Sequence, residues 1–120
     1  MTYARNQAIG DYGERLAADH LRSLGMAILA RNWTCRFGEI DIVARDGDTL
    51  VVCEVKTRTS ATHGTALEAV SGLKVQRLRR ALAAWLEANE VSPAGVRIDV
   101  VTVFVPRTGG PRVERIAGVA

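Results

Sequence analysis

The chain has 120 residues and a formal net charge of +3. That length suits one domain over residues 1–120, and 48% apolar with 24% charged residues excludes extended disorder. No apolar run is long enough to cross a bilayer, and the opening MTYARNQAIGDYGE lacks the apolar stretch of a secretory signal, so a cytoplasmic protein with no membrane partner is expected.

A first helix is predicted over Gln7 to Leu24, with Gly25 as its stop. Its apolar stripe runs through Ala17, Leu21 and Leu24, and Gly10, Gly13 and Glu14 fall on the same stripe. A strand from Met26 to Asn32 and a loop from Trp33 to Phe37 follow. Gly38 to Arg58 then reads as a hairpin turning at Asp46 to Asp48. Thr57 to Gly64 is a polar loop. A helical region extends from about Ala66 to Ala88, with a break near Ser71–Gly72 and a stripe of Val75, Leu78, Leu82, Trp85 and Leu86. Val96 to Val105 is a β-branched strand, and Pro106 to Ala120 is a tail that adds an edge strand or docks on a partner. The order αβββαβ predicts an α/β fold, a mixed β-sheet flanked by helices, with the last strand reached through a helical crossover.

The hairpin carries Glu39, Asp41, Glu54 and Lys56 among its valines and isoleucines. A turn with an even number of residues sets Asp41 opposite Glu54 and Glu39 opposite Lys56. That register predicts one apolar face of Ile40, Ile42, Val51, Cys53 and Val55, with the charges on the other. Two carboxylates about 5 Å apart repel by roughly 3 kcal/mol at an effective dielectric near 20. A divalent cation would offset that repulsion. Mg²⁺ (or Mn²⁺) takes oxygen ligands, and Asp41, Glu54 and the carbonyl of Val55 form a candidate metal set. Taken singly, each acid is more simply a solvated charge paired to an arginine; the combination D…E-x-K on adjacent strands favours the metal.

Basic residues comprise fourteen Arg and only two Lys, Lys56 and Lys74. An ammonium is a compact charge, suited to positioning a nucleophile and stabilising charge beside a scissile phosphate. Glu14, on the apolar stripe of the first helix, is costly to bury unless paired or turned toward the same metal. Arg5, Arg31, Arg36, Arg45 and Arg58 lie on loops or element ends around the site and suit phosphate contacts. Lys74 borders the stripe of the long helix and reaches the site's edge, whereas Arg77 and Arg80 read as solvated. Trp33 and Phe37 flank a basic loop, where stacking on an unpaired base competes with simple packing. His63 is a loop candidate for substrate contact, and Asp99 reads as a structural acid paired with a nearby Arg. Cys35 and Cys53 form no C-x-x-C and, with two separated His, supply too little for structural zinc.

GE at Gly13–Glu14, then GEIDIVARDG, EVKTR and RIDVV, resemble the YraN-like family of small bacterial proteins over about residues 8–105. That family is similar to archaeal Holliday junction resolvases and, more broadly, to the PD-(D/E)xK nucleases. The resemblance implies a restriction-endonuclease-like αβββαβ core and Mg²⁺-dependent phosphodiester hydrolysis. Its catalytic positions would be Glu14, Asp41, Glu54 and Lys56. Ile40 stands where many of these nucleases carry Pro, a residue that the resolvase-like branch often lacks. DNA, branched or otherwise structured, is the implied partner, and a homodimer the implied assembly. Against an endonuclease stand two other readings: a non-catalytic nucleic-acid- or protein-binding module that keeps the fold, and a scaffold that touches no nucleic acid.

Overall fold

The computed structural model describes residues 3–59 and 72–120. Among the described residues the elements are, in chain order, α1 (Tyr3–Ser23), β1 (Ala27–Cys35), β2 (Gly38–Asp46), β3 (Thr49–Arg58), α2 (Gly72–Asn89), β4 (Gly95–Phe104) and β5 (Arg112–Ile116). The expected helix start near Ala66, the break at Ser71 and the loop residue His63 lie outside the described residues. No helix among them is long and apolar enough to cross a membrane.

The strands form one mixed sheet in the order β1-β2-β3-β4-β5. β1–β2, β2–β3 and β4–β5 pair antiparallel, and β3–β4 pair parallel. α2 lies in the connection between the parallel pair, as such a pair requires. This is the expected αβββαβ order of a restriction-endonuclease-like core, with β5 added as the edge strand that the tail suggested.

Each face of the sheet has its own core. Ala17, Ala18 and Leu21 of α1 pack with Ile42, Ala44, Val51, Cys53, Val101 and Val103. On the other face Leu78, Ala81, Leu82 and Trp85 of α2 pack with Ile40, Val43, Leu50, Val52 and Ile98. β3 is therefore buried continuously from Leu50 to Glu54. That corrects the expected division into an apolar and a charged face. A central strand covered on both sides is apolar on both, and simple alternation is lost.

α1 ends where Gly25 predicted. Gly25 stands at φ 92°, its N–H donates to Arg22 O at 2.9 Å, and the N–H of Met26 donates to Leu21 O at 3.1 Å. Leu21 and Met26 meet in the core, completing a Schellman cap. β1 runs on to Cys35, through the expected loop, and turns into β2 across Arg36 and Phe37 alone. β1 is an edge strand, so its polar residues alternate outward and imitate a loop. At the far edge the tail also pairs with β4, through Val119 N–H to Ile98 O at 2.8 Å and Ile98 N–H to Ala120 O at 2.9 Å. Asp99, fully buried, anchors this edge. It accepts from Arg97 at 2.8 and 3.1 Å, from Arg115 at 2.9 Å and from the N–H of Gly118 at 2.9 Å.

α1 crosses the end of β3 at Gly13, where an added Cβ would collide with the side chain of Thr57. Glycine inside a helix costs about 1 kcal/mol relative to alanine, so close approach is what keeps it there. Gly10, one turn earlier, has open space around it. Gly13→Ala is expected to destabilise the fold by about 1–3 kcal/mol, with partial recovery in Gly13→Ala/Thr57→Ala. Gly10→Ala is expected to stabilise it by about 0.5–1 kcal/mol. Urea midpoints of the variants, compared at constant m-value, check both signs.

Candidate functional site

The site begins with a break in the sheet. β2 and β3 pair from Asp46–Thr49 to Ile42–Cys53, and their register ends there. β1 and β2 stay paired out to Cys35–Gly38, and β3 and β4 out to Arg58–Phe104. Beyond Ile42, β2 thus leaves β3 and carries β1 with it as an arm. The backbone N–H of Val55, facing the gap, donates instead to Asp41 Oδ2 at 2.8 Å.

The arm is distorted where it departs. Residues two apart in a regular strand share a face, yet Ile40 packs in the α2-side core and Ile42 in the α1-side core. Opposite Asp41 in the β1–β2 register stands Asn32, at φ 52°. Few side chains tolerate that left-handed region, and asparagine is one of them. The Asn32 side chain hydrogen-bonds Glu14, and so does Arg31, at 3.4 Å.

A cavity of about 490 Å³ opens over Asp41. Asp11, Glu14, Glu39, Val55 and Lys56 line it with Asp41. Burial pushes the Asp41 carboxyl up to about 7, and the charges of Glu54, Glu14 and Glu39 add to the rise against the Val55 N–H. Burial also raises the Glu14 carboxyl, against the opposing pull of Asn32 and Arg31. Lys56 is exposed.

Glu54 lies on the α2 face, next in alternation to Val52, and is 8% exposed. Its Oε2 meets Lys74 Nζ at 2.8 Å and its Oε1 meets Arg77 Nη2 at 3.7 Å. Arg77 also donates through Nη1 to Phe37 O at 3.3 Å and to Glu39 O at 3.0 Å. The guanidinium packs so close to Gly38, at φ 110°, that a Cβ there would lie 2.6 Å from Nη1. Arg77 therefore ties the β1–β2 arm to α2. Reading Arg77 as solvated was incorrect: it lies off the centre of the apolar stripe, but its length carries the charge to the strand. Its position three residues after Lys74, on the same side of the helix, was the available signal.

Glu14, Asp41, Val55 and Lys56 thus line one cavity, while Glu54 sits near enough to disfavour charge on Asp41 but has its own carboxylate on Lys74 and Arg77. Of the suggested phosphate contacts, Arg31 is on Glu14 and Lys74 on Glu54. Arg36 stacks over the Phe37 ring at 4.8 Å from its centroid, and Arg58 closes β3, its carbonyl accepting from Val105 N–H at 2.8 Å. Asn32, Glu39 and Arg77 belong to this neighbourhood and were not singled out as site residues in the sequence. Among the described residues, no three His, Cys, Asp or Glu side chains stand together as a metal cage. Carboxylates in pairs remain, and one or two carboxylates with water completing the shell is the set Mg²⁺ accepts.

Because the Asp41 carboxyl lies near 7 in the fold and near 3.8 ordinarily, the folded chain holds a proton that the unfolded chain releases. Stability from this group is full at low pH and is lost as pH rises through about 7. The urea midpoint of the wild type is expected to fall between pH 4 and 7, by an amount worth up to a few kcal/mol. Asp41→Asn should lose most of that slope, leaving the smaller part in the same direction that Glu14 contributes. Equal slopes in the two proteins would refute the assignment.

Residues 13–103 match the family model described as "Uncharacterised protein family UPF0102". Curated relatives agree along nearly the full length of both chains. A UPF0102 protein of Kineococcus radiotolerans is 58% identical over 114 residues, 94% of this chain and 93% of its own. One from Nocardioides sp. is 52% identical over 116 residues, 97% and 94% of the two chains. Another, from Streptomyces griseus subsp. griseus, is 54% identical over 114 residues, 94% and 96%. The chain carrying this arm, cavity and half-buried aspartate belongs to the UPF0102 family, the YraN-like group its GEID and EVK motifs resemble.

Proposed function

We propose that the protein is a metal-dependent endonuclease that hydrolyses phosphodiester bonds in DNA, with branched or otherwise structured DNA as its substrate class. The observation that carries this reading is the placement of Asp41. A half-buried carboxylate is fixed by one backbone N–H where two strands separate, among other acids and beside Lys56. A structural acid would be expected to face a guanidinium; this one faces a cavity and like charges.

A divalent cation, when bound, supplies Lewis-acid polarisation of the phosphate and a water acidic enough to attack it. The protein's part is to hold oxygen ligands and manage charge. Asp41, oriented by Val55, would be the central ligand, with Glu14 and Glu54 as neighbouring acids and the Val55 carbonyl as a further donor. Lys56 reaches the phosphate as its negative charge grows. Arg36 and Arg58 lie within the same end of the fold and bind flanking phosphates. Hydrolysis adds water across one P–O bond, leaving a phosphate on one fragment and a hydroxyl on the other.

A second reading, a DNA-binding module without cleavage, draws support from the engagement of Glu54 by Lys74 and Arg77. Cleavage assays separate the two. Purified protein is incubated with branched, single-stranded and duplex DNA, with Mg²⁺ or Mn²⁺ and with a chelator. Metal-dependent nicking is expected, with Asp41→Asn and Lys56→Ala slower by about 100-fold or more. Salt-sensitive binding without cleavage of any substrate would overturn the enzyme in favour of the module. No retention of DNA at low salt would overturn both and leave the scaffold.

A further inference from the structure

A second concavity lies on the other side of the β1–β2 arm. Between the arm's tip and the outer side of α2 is a cleft of about 780 Å³. That is the size of clefts that accept a small organic ligand. Trp33, Arg36 and Phe37 line it from the arm, and Arg80, Ala84 and Glu87 from α2. We propose that this cleft binds one unpaired nucleotide of DNA, with the base against Phe37 and Trp33 and the phosphate against Arg36 and Arg80. The inference rests on the nucleic-acid reading of the site above and names the part of the substrate that the arm would hold.

Both rings are half-buried. They pack on the α2-side core and also line the cleft, so each is rigid while presenting surface to it. Rigid aromatic surface accepts any base, because every base has a π-face. Arg36, an exposed side chain, lies over the Phe37 ring at 4.8 Å, so an entering base would take its place on the ring face and leave the guanidinium beside the incoming phosphate. The α2 wall is built largely of alanine, Ala83, Ala84 and Ala88, which leaves a low surface for a flat ring. Two arginines against one glutamate give the cleft a positive balance, suited to a phosphate rather than to a cation.

An unpaired base is indicated because a base inside a duplex already has both faces stacked on its neighbours. The location fits the same conclusion. Phe37 in the turn lines this cleft, and Glu39, two residues further along the chain in β2, lines the cavity over Asp41. Arg77 holds both backbone carbonyls and touches Glu54. The arm therefore stands between the two concavities like a wedge. A nucleotide in the cleft would be the one displaced beside a branch point, a short distance along the strand from the phosphate over Asp41.

Fluorescence anisotropy with chelator present, so that no strand is cut, tests the inference. The probes are a labelled single-stranded thymidine oligonucleotide, an abasic strand of the same length, and a fully paired duplex. The wild type is expected to bind the thymidine strand better than the abasic one. Phe37→Leu should weaken the thymidine strand about tenfold and leave the abasic strand unchanged. Phe37→Tyr, which keeps the ring, should bind as the wild type does. Arg80→Gln should weaken both strands, since both carry phosphates. Equal wild-type binding of the base-bearing and abasic strands, or wild-type affinity in Phe37→Leu, would overturn the nucleotide cleft. Duplex binding or cleavage retained in that case would leave the endonuclease reading intact. Failure of the wild type to bind any of the three probes at low salt would instead remove the nucleic-acid reading, and the cleft with it.

Discussion

One hydrogen bond, from the N–H of Val55 to the carboxylate of Asp41, decides what this sheet can do. A continued β2–β3 ladder would have offered Val55 a backbone carbonyl and closed the gap. A buried N–H left without any acceptor costs about 1–3 kcal/mol. Asp41 supplies the acceptor from a side chain, so β2 is free to leave while β3 remains satisfied. The cost moves to Asp41, whose carboxylate is taken out of water and set among other acids. Arg77 then secures the departing arm through Phe37 and Glu39, and Asn32 absorbs the bend in its left-handed backbone. Cavity, arm and cleft are consequences of the same exchange.

Two buried acids and one half-buried acid show how differently one chain treats a carboxylate. Asp99 is fully buried and meets two guanidiniums and a backbone N–H, which is how an acid is made structural. Glu54 is nearly as deep and rests on an ammonium with a guanidinium close by. Asp41 is desolvated and repelled by Glu54, Glu14 and Glu39, so its carboxyl rises to about 7 against the opposing pull of one neutral N–H. Desolvation together with like charge at the wall of a cavity is the pattern of a functional acid. Asp99, charged and central though it is, lacks that pattern because its partners neutralise it.

Much of the fold was legible from local chemistry. The Gly25 stop, the two-residue turn at Gly47 and Asp48, and the helical connection between parallel strands follow from short-range rules and stand in the structure. Of the spaced set Asp41, Glu54 and Lys56, the first and last line one cavity, while the Glu54 carboxylate is held by Lys74 and Arg77. What local reading could not supply was the strand's neighbours. Ile40 and Ile42 look equivalent in sequence, and only the departure of β2 from β3 sends them to opposite cores. The end of β1, Trp33 to Cys35, looked like a loop because half of an edge strand faces water. Arg77 was misread because a helical wheel records where a side chain starts and says nothing of how far it reaches.

The two lysines acquire a physical meaning from their positions. In a chain with fourteen arginines, Lys74 places its ammonium 2.8 Å from Glu54 while Arg77 lies 3.7 Å from the other oxygen of the same carboxylate. A planar guanidinium already spans the arm's carbonyls and Glu54 on one side. The second partner meets Glu54 at a single oxygen, a geometry that suits a point charge better than another fork. Lys56 stands in the opposite circumstance, exposed beside the acids over Asp41. There a compact, mobile charge can follow a ligand, whereas a guanidinium would favour a fixed bidentate grip on one carboxylate. The same preference for ammonium over guanidinium thus serves a closed ion pair at Glu54 and an open cavity over Asp41.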